Sequence, residues 1–421
     1  MRYGLQRGLA AARIPVLCTT ALLLAGGARA DATSGAPEAA QNLRERLAAE
    51  VDRFADRFDG VVLVARGSDV LVERALGLRD GRTDDPNRPD TLFRIGSLTK
   101  QLTAATVLTL VDEGHVALDA PVSRYLPDLP PACLERDGVS VTIEHLLRHQ
   151  SGLVRAEKLP SFRDRMWSEA VTPAMFLSDL ADTGPGFVPG TRYAYSNTGY
   201  MLLGEVVRRL TGGTYEAALR ARVLDPLGMA DTGIVPDAAR QARMARGRFP
   251  IGPVRLDAAE AFALTTANLS DLRASGSAYS SARDLLRFSR IFLDPGAGPL
   301  RPATVAAMTT PGLDDYGFGV VIPEADGPWR QVWHNGALSP LGFSSELVVF
   351  PAQGFVVVVL SNEDYALETG KRLRKNLVAI LKGEAPAQPL APPATATLGA
   401  AAVGVLTLFQ RGAARLAVFP L

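Results

Sequence analysis

From residue 40 to 57, Leu43, Leu47, Val51 and Phe54 recur at three- and four-residue spacing, which predicts an amphipathic helix. The period then changes. Gly60-Val-Val-Leu-Val-Ala-Arg-Gly-Ser-Asp-Val-Leu-Val-Glu holds two β-branched runs that meet at Gly67-Ser68, which reads as a hairpin. Near the other end, residues 342–350 and 354–360 form a second pair of strand runs, with Pro351 to Gly354 as the turn. Helical spacing returns over 366–381, through Ala366, Leu367, Leu373, Leu377, Ile380 and Leu381.

Between these ends the texture is helical. Residues 98–113 are rich in Leu, Ala and Val and stop at Gly114. Residues 142–150, 199–211 and 280–293 have the same character. The expected architecture is therefore α/β, of the α+β type. One antiparallel sheet is built from both chain ends and flanked by helices, with a mostly helical region inserted between them.

The termini differ from this pattern. Arg2, Arg7 and Arg13 precede an apolar stretch from Ile14 to Ala25, and Ala28-Arg29-Ala30 has the A-x-A form of a cleavage site. Residues 1–30 are read as a signal peptide. The apolar run falls short of the roughly 20 residues that span a bilayer. The expected destination is the periplasm or the extracellular medium, without a membrane anchor. Residues 31–383 then form the catalytic domain. Residues 384–397, with Pro386, Pro389, Pro392 and Pro393 among alanines, read as a linker, and 398–421 as a short apolar segment of unassigned role.

Composition narrows the partners. The chain has 421 residues with 45 basic and 44 acidic side chains, so no basic surface argues for nucleic acid. Removing the signal segment takes away four arginines and no acid, which makes the remainder slightly acidic. Of the two cysteines, Cys18 leaves with that segment. Cys133 is then alone, cannot form an internal disulfide and is read as structural.

Three short patterns carry chemistry: Ser97-Leu-Thr-Lys100, Tyr195-Ser-Asn197 and His334-Asn-Gly336, the last followed by Ala337. Each is weak alone; their joint occurrence in this order is not. Positions i and i+3 share a helix face, so Ser97 and Lys100 can meet. Gly96 before the serine and the apolar run after it place Ser97 at a helix N-terminus, where unpaired N–H groups favour developing negative charge. A serine needs a base, and a lysine can serve if burial or a nearby cation lowers its pKa. Tyr195 could pass or accept the proton. In an extended segment Asn197 points to the same side as Tyr195 and can hold Lys100 or a substrate amide.

These residues resemble the S-x-x-K serine acyl-transfer family of β-lactamases and penicillin-binding DD-peptidases. The Tyr-x-Asn motif is similar to the class C β-lactamase branch, with its DD-peptidase, D-aminopeptidase and esterase relatives. The segments Thr91–Lys100, Ile143–Leu153, Pro189–Tyr200 and Pro226-Leu-Gly-Met also look like family segments, and the resemblance covers about 40–383. It implies a β-lactamase/transpeptidase-like fold and a serine hydrolase that works through an acyl-enzyme without a cofactor or metal. Ser97 would be the nucleophile. Lys100 and Tyr195 would share general-base and general-acid work. The N–H groups of Ser97 and Ala337 would form the oxyanion hole, with His334 to Ala337 lining the site opposite the serine. Asn197, His334, Gly336 and Ala337 would then bind substrate.

The departure is His334. Class C β-lactamases usually have Lys-Thr-Gly here, and that lysine helps bind the substrate carboxylate. Histidine, mostly neutral at pH 7, is the weaker partner, and Asn335 removes a hydroxyl contact. The expected substrate is thus a small molecule or peptide, such as a peptide, amide or ester, peptidoglycan-derived ones included. A class C-like β-lactamase, or a penicillin-binding sensor that is acylated but scarcely turns over, are the alternatives. Glu144-His-Leu-Leu-Arg-His149 invites a zinc reading, but the glutamate precedes the first histidine, unlike H-E-x-x-H, and the segment is read as structural. No G-x-S-x-G elbow or phosphate-binding loop occurs.

Overall fold

The computed structural model describes residues 35–165, 171–251, 254–258, 273–324, 327–338, 341–363 and 366–388. The signal segment 1–30, most of the linker and residues 398–421 lie outside them. The chain divides into Met1–Gln41 and Asn42–Leu421. Of the first unit the described residues are the opening turns of helix α1 (Gly35–Asp52). The second unit carries the sheet and all three motifs.

Five strands form the main sheet: β1 (Gly60–Arg66), β2 (Asp69–Leu76), β3 (Val332–Leu338), β4 (Phe343–Phe350) and β5 (Phe355–Ser361). The order is β3-β4-β5-β1-β2 and every pairing is antiparallel. The two chain ends meet where β1 pairs with β5, from Gly60 opposite Ser361 to Arg66 opposite Phe355. Both predicted hairpins are present, β1–β2 and β4–β5.

Alternation along the strands separates two cores. Val61, Leu63, Val358, Leu360, Leu347 and Val349 face the inserted helical region, including α2 (Thr99–Asp112) and α4 (Asn197–Thr211). Val62, Val64, Val348, Val357 and Val359 pack with Leu47 and Val51 of α1 and with Leu373, Leu377 and Ile380 of α5 (Ala366–Leu381). Helices on both faces explain why β4 and β5 are buried at every position and why β5 reads as a nearly continuous apolar run. Burial of Glu346 on β4 is balanced by Trp333 Nε1, which donates to it at 2.9 Å, and by Arg374 of α5, 3.1 Å away.

Two helical expectations are corrected. The run 142–150 is helical only over α3 (Ile143–Leu147). His149 takes φ +57°, which ends the helix and turns the chain towards the site. Residues 280–293 form two short helices, Ala282–Phe288 and Arg290–Leu293, because the chain breaks its helical bonding at Ser289. Cys133 is buried, as a structural cysteine should be, and burial pushes its thiol pKa up.

Candidate active site

Ser97 lies in a single 3₁₀ turn, Gly96–Leu98, that leads directly into α2. The turn is fixed from both sides. Ile95 N–H donates to Ala278 O at 2.9 Å, and Ser345 Oγ of β4 donates to Ile95 O at 2.8 Å. Gly96 sits at φ +50°, and a Cβ there would lie 3.0 Å from Ala337 N. A Cβ on Gly336 would lie only 2.0 Å from Ile95 O. The two glycines thus let the serine turn and β3 touch backbone to backbone, which brings the amide of Ala337 beside Ser97.

Lys100 is the second residue of α2 and is fully buried. Its Nζ is 3.2 Å from Ser97 Oγ, 2.8 Å from Asn197 Oδ1 and 2.7 Å from Ser275 O. Ser275 is held in reach by its neighbours: Arg94 donates to Ser277 O, and Thr99 Oγ1 accepts from Ala278 N–H. Burial brings the lysine pKa down to about 7, against an opposing pull from Glu157. Three acceptors suit the ammonium, and the neutral amine also fits these contacts. Asn197 Oδ1 and Ser275 O can only accept, so they take its two N–H groups, and its lone pair is left for the Ser97 hydroxyl proton.

The side-chain amide of Asn197 has one orientation because Nδ2 donates to Glu157 Oε1 at 3.1 Å. Asn197 is the first residue of α4, with Ser196 as N-cap, so the extended segment expected through Tyr195–Asn197 is corrected. Asn197 reaches Lys100 from a helix start, while Tyr195 sits in the loop before it.

Tyr195 is half-buried, its phenol lies within the influence of the Ser97 hydroxyl, and Lys100 Nζ lies 4.7 Å from its ring centre. Burial raises its pKa well above that of a free tyrosine. The phenol therefore keeps its proton at neutral pH.

His334 is buried on β3. Its Nδ1 is 2.6 Å from Asn335 O and its Nε2 2.9 Å from Tyr316 Oη. A carbonyl only accepts, so the Nδ1–H tautomer satisfies both contacts. Burial, helped by Lys100, pushes its pKa down to about 3. The imidazole is neutral, as the sequence suggested, and more strongly so than an unperturbed histidine. Ala337 is exposed at the site's edge.

The structure thus bonds Lys100 to Ser97 and Asn197, sets the Tyr195 ring against Lys100 Nζ, and places Gly336 and Ala337 against the serine turn. Sequence reasoning missed Glu157, Ser275 and Tyr316. None lies in a motif; Glu157 comes from the 3₁₀ turn Ala156–Lys158, Ser275 from the short helix Arg273–Gly276 and Tyr316 from the residue after the turn Leu313–Asp315, and only folding brings them near. The histidine pair His145/His149 does not share a helix face. His145 Nδ1 accepts Thr142 N–H in a reciprocal cap of α3, whereas His149 lies beyond the helix, with its ring centre 4.2 Å from that of Tyr195.

Comparison with known proteins agrees with this geometry. The β-lactamase family model matches residues 40–382. Esterase EstB of Burkholderia gladioli is 34% identical over 76% of this chain and 91% of its own length. Penicillin-binding protein 4 of Amycolatopsis lactamdurans is 32% identical over 77% of this chain and 86% of its own. Among solved structures, the D-amino acid amidase of Ochrobactrum anthropi complexed with L-phenylalanine amide is similar at 25% identity and a TM-score of 0.67, over 81% of this chain and 99% of that one. With the family matched over most of its length, the chain belongs to the β-lactamase family and is a serine hydrolase.

Proposed function

We propose that the mature chain is exported and hydrolyses a peptide, amide or ester through an acyl-Ser97 intermediate. The observation that carries this is the contact of Ser97 Oγ with a fully buried Lys100 whose pKa is brought to about 7. As Ser97 Oγ attacks the carbonyl carbon, its proton passes to the Lys100 lone pair. The carbonyl oxygen becomes an oxyanion, bound by the N–H groups of Ser97 and Ala337; one such donor is worth about 3–4 kcal/mol. When the intermediate collapses, the Tyr195 phenol donates its proton to the leaving nitrogen or oxygen, and Lys100 returns a proton to Tyr195. Water then attacks the acyl carbon, and the carboxylic acid leaves with Ser97 Oγ reprotonated.

Neutral, buried His334 favours esters and amides over substrates that need a cation for their carboxylate. The similarity to an esterase and a D-amino acid amidase supports the same reading. The signal-like residues 1–30 support export to the periplasm or medium, where peptidoglycan-derived peptides are at hand. Similarity to a penicillin-binding protein keeps a second reading in view, in which a β-lactam acylates Ser97 and leaves slowly.

The test is an intact-mass time course of the mature protein with a penicillin and, separately, with p-nitrophenyl esters and D-amino-acid p-nitroanilides, alongside Ser97→Ala. Release of nitrophenol or nitroaniline by the wild type only is the expected result. A long-lived penicillin adduct without ester or amide turnover favours the penicillin-binding reading. Undiminished hydrolysis by Ser97→Ala overturns both. N-terminal sequencing of the exported protein checks cleavage after Ala30.

A further inference from the structure

His149 takes no part in the steps above, yet it is buried beside them. Its carbonyl accepts Ala194 N–H at 2.8 Å, and its ring Nδ1 accepts Ser196 N–H at 3.2 Å. These are the amides on either side of Tyr195. Its ring packs on the Tyr195 ring with centres 4.2 Å apart, and the rings of Tyr316 and Tyr200 lie 4.6 and 5.1 Å away. The backbone of His149 is held at φ +57°, a conformation that side chains with a Cβ disfavour and that persists where the surroundings enforce it.

We propose that His149 is a positioning residue for Tyr195, which clamps the backbone on both sides of it and the ring from behind so that the phenol stays on Ser97. This rests on the reading of Tyr195 as the proton-transfer group. Two hydrogen bonds to the amides flanking Tyr195 and one ring contact with Tyr195 itself all come from His149. The Nδ1 contact requires that nitrogen to be unprotonated. Burial, with Lys100 and His334 nearby, holds the imidazole well below its ordinary pKa and so supplies that state. A loop residue placed only by its neighbours' packing could drift by an ångström, and misplacement of that size costs a proton transfer about 100-fold.

The test compares His149→Leu, His149→Asn and His149→Gln, each in the wild-type and in the Tyr195→Phe background. Ester hydrolysis is followed in steady state and the acylation burst in a rapid-mixing experiment. Asn tolerates the left-handed backbone and carries Oδ1 at the place of the histidine Nδ1; Gln carries its acceptor one bond further out. The expected result is a loss of about 30-fold in acylation rate for His149→Leu, with KM changed less than about twofold. Asn should restore the rate to within about threefold, and Leu should cost less than about twofold once Tyr195 is Phe, because the effect runs through the phenol.

An equal loss from His149→Leu in both backgrounds overturns the proposal, as does a folded His149→Asn as slow as the leucine variant. Should the leucine variant fail to fold, equal rates for Asn and Gln overturn it instead. A Tyr195→Phe enzyme as fast as wild type removes the proton-transfer reading of Tyr195 and the positioning role together. A slow Tyr195→Phe enzyme with a fast His149→Leu enzyme removes the positioning role alone.

Discussion

Asn197 donates through Nδ2 to Glu157 Oε1 at 3.1 Å and accepts at Oδ1 from Lys100 Nζ at 2.8 Å. A carboxylate that only accepts thereby fixes which end of the amide faces the lysine, and its charge acts on Lys100 across the amide. Glu157 favours the protonated lysine, against burial. Glu157→Gln should therefore let the Lys100 pKa fall further. The acid limb of the kcat/KM–pH profile should move to lower pH. The freed amide should cost about tenfold in kcat. A profile that stays in place would show that Glu157 has no electrostatic hold on the base.

Lys100 also sets the shape of that profile. The reaction needs the neutral amine, so kcat/KM should rise with pH, flatten above about 7, and fall about tenfold per unit below it. The tyrosine, with its pKa raised by burial, should add no alkaline limb below about pH 10. Lys100→Ala should lose about 10³-fold or more and abolish the limb near 7. Initial-rate measurements from about pH 5 to 10 check both.

At β3, His334→Lys should not by itself create an efficient β-lactamase. The new ammonium would enter a buried position, lose the acceptor for Tyr316 and repel a protonated Lys100. We expect a stability loss of about 2 kcal/mol in denaturant melts and an acid limb shifted to lower pH. Strong nitrocefin turnover in this variant would show that the missing cation alone separates the two activities.

Gly336 gives the sharpest steric test. A Cβ there would sit 2.0 Å from Ile95 O and 2.4 Å from Ser345 Oγ. Gly336→Ala should push β3 off the serine turn, destabilise the fold by about 2–3 kcal/mol and lower kcat by about 100-fold as the Ala337 amide leaves the oxyanion position. Gly336 is not among the positive-φ glycines, so the cost is one of space and not of backbone conformation.

Much of this protein is legible in local pattern. The β-branched runs at 60–66 and 355–361 had to be strands buried on both faces, because no amphipathic period runs through them. Ser97 and Lys100 meet through helical spacing alone. Local pattern failed at 142–150, where apolar spacing promised a longer helix. His149 leaves it at a positive φ to reach Tyr195, a choice made by contacts far away in sequence.

The sequence by itself determined the sheet-forming ends, the helical middle and the three motifs, since each depends on neighbours a few residues apart. Tertiary structure decided the chemistry of those motifs. The lysine pKa is brought to about 7 only because the side chain is buried, and its N–H groups are taken by Asn197 Oδ1 and Ser275 O from distant segments. The histidine of β3 is neutral only because it is buried against Tyr316. Glu157 and His149 take their places only when distant loops close on the site. Desolvation and hydrogen-bond direction depend on the whole surroundings of an atom, and no spacing along the chain encodes them.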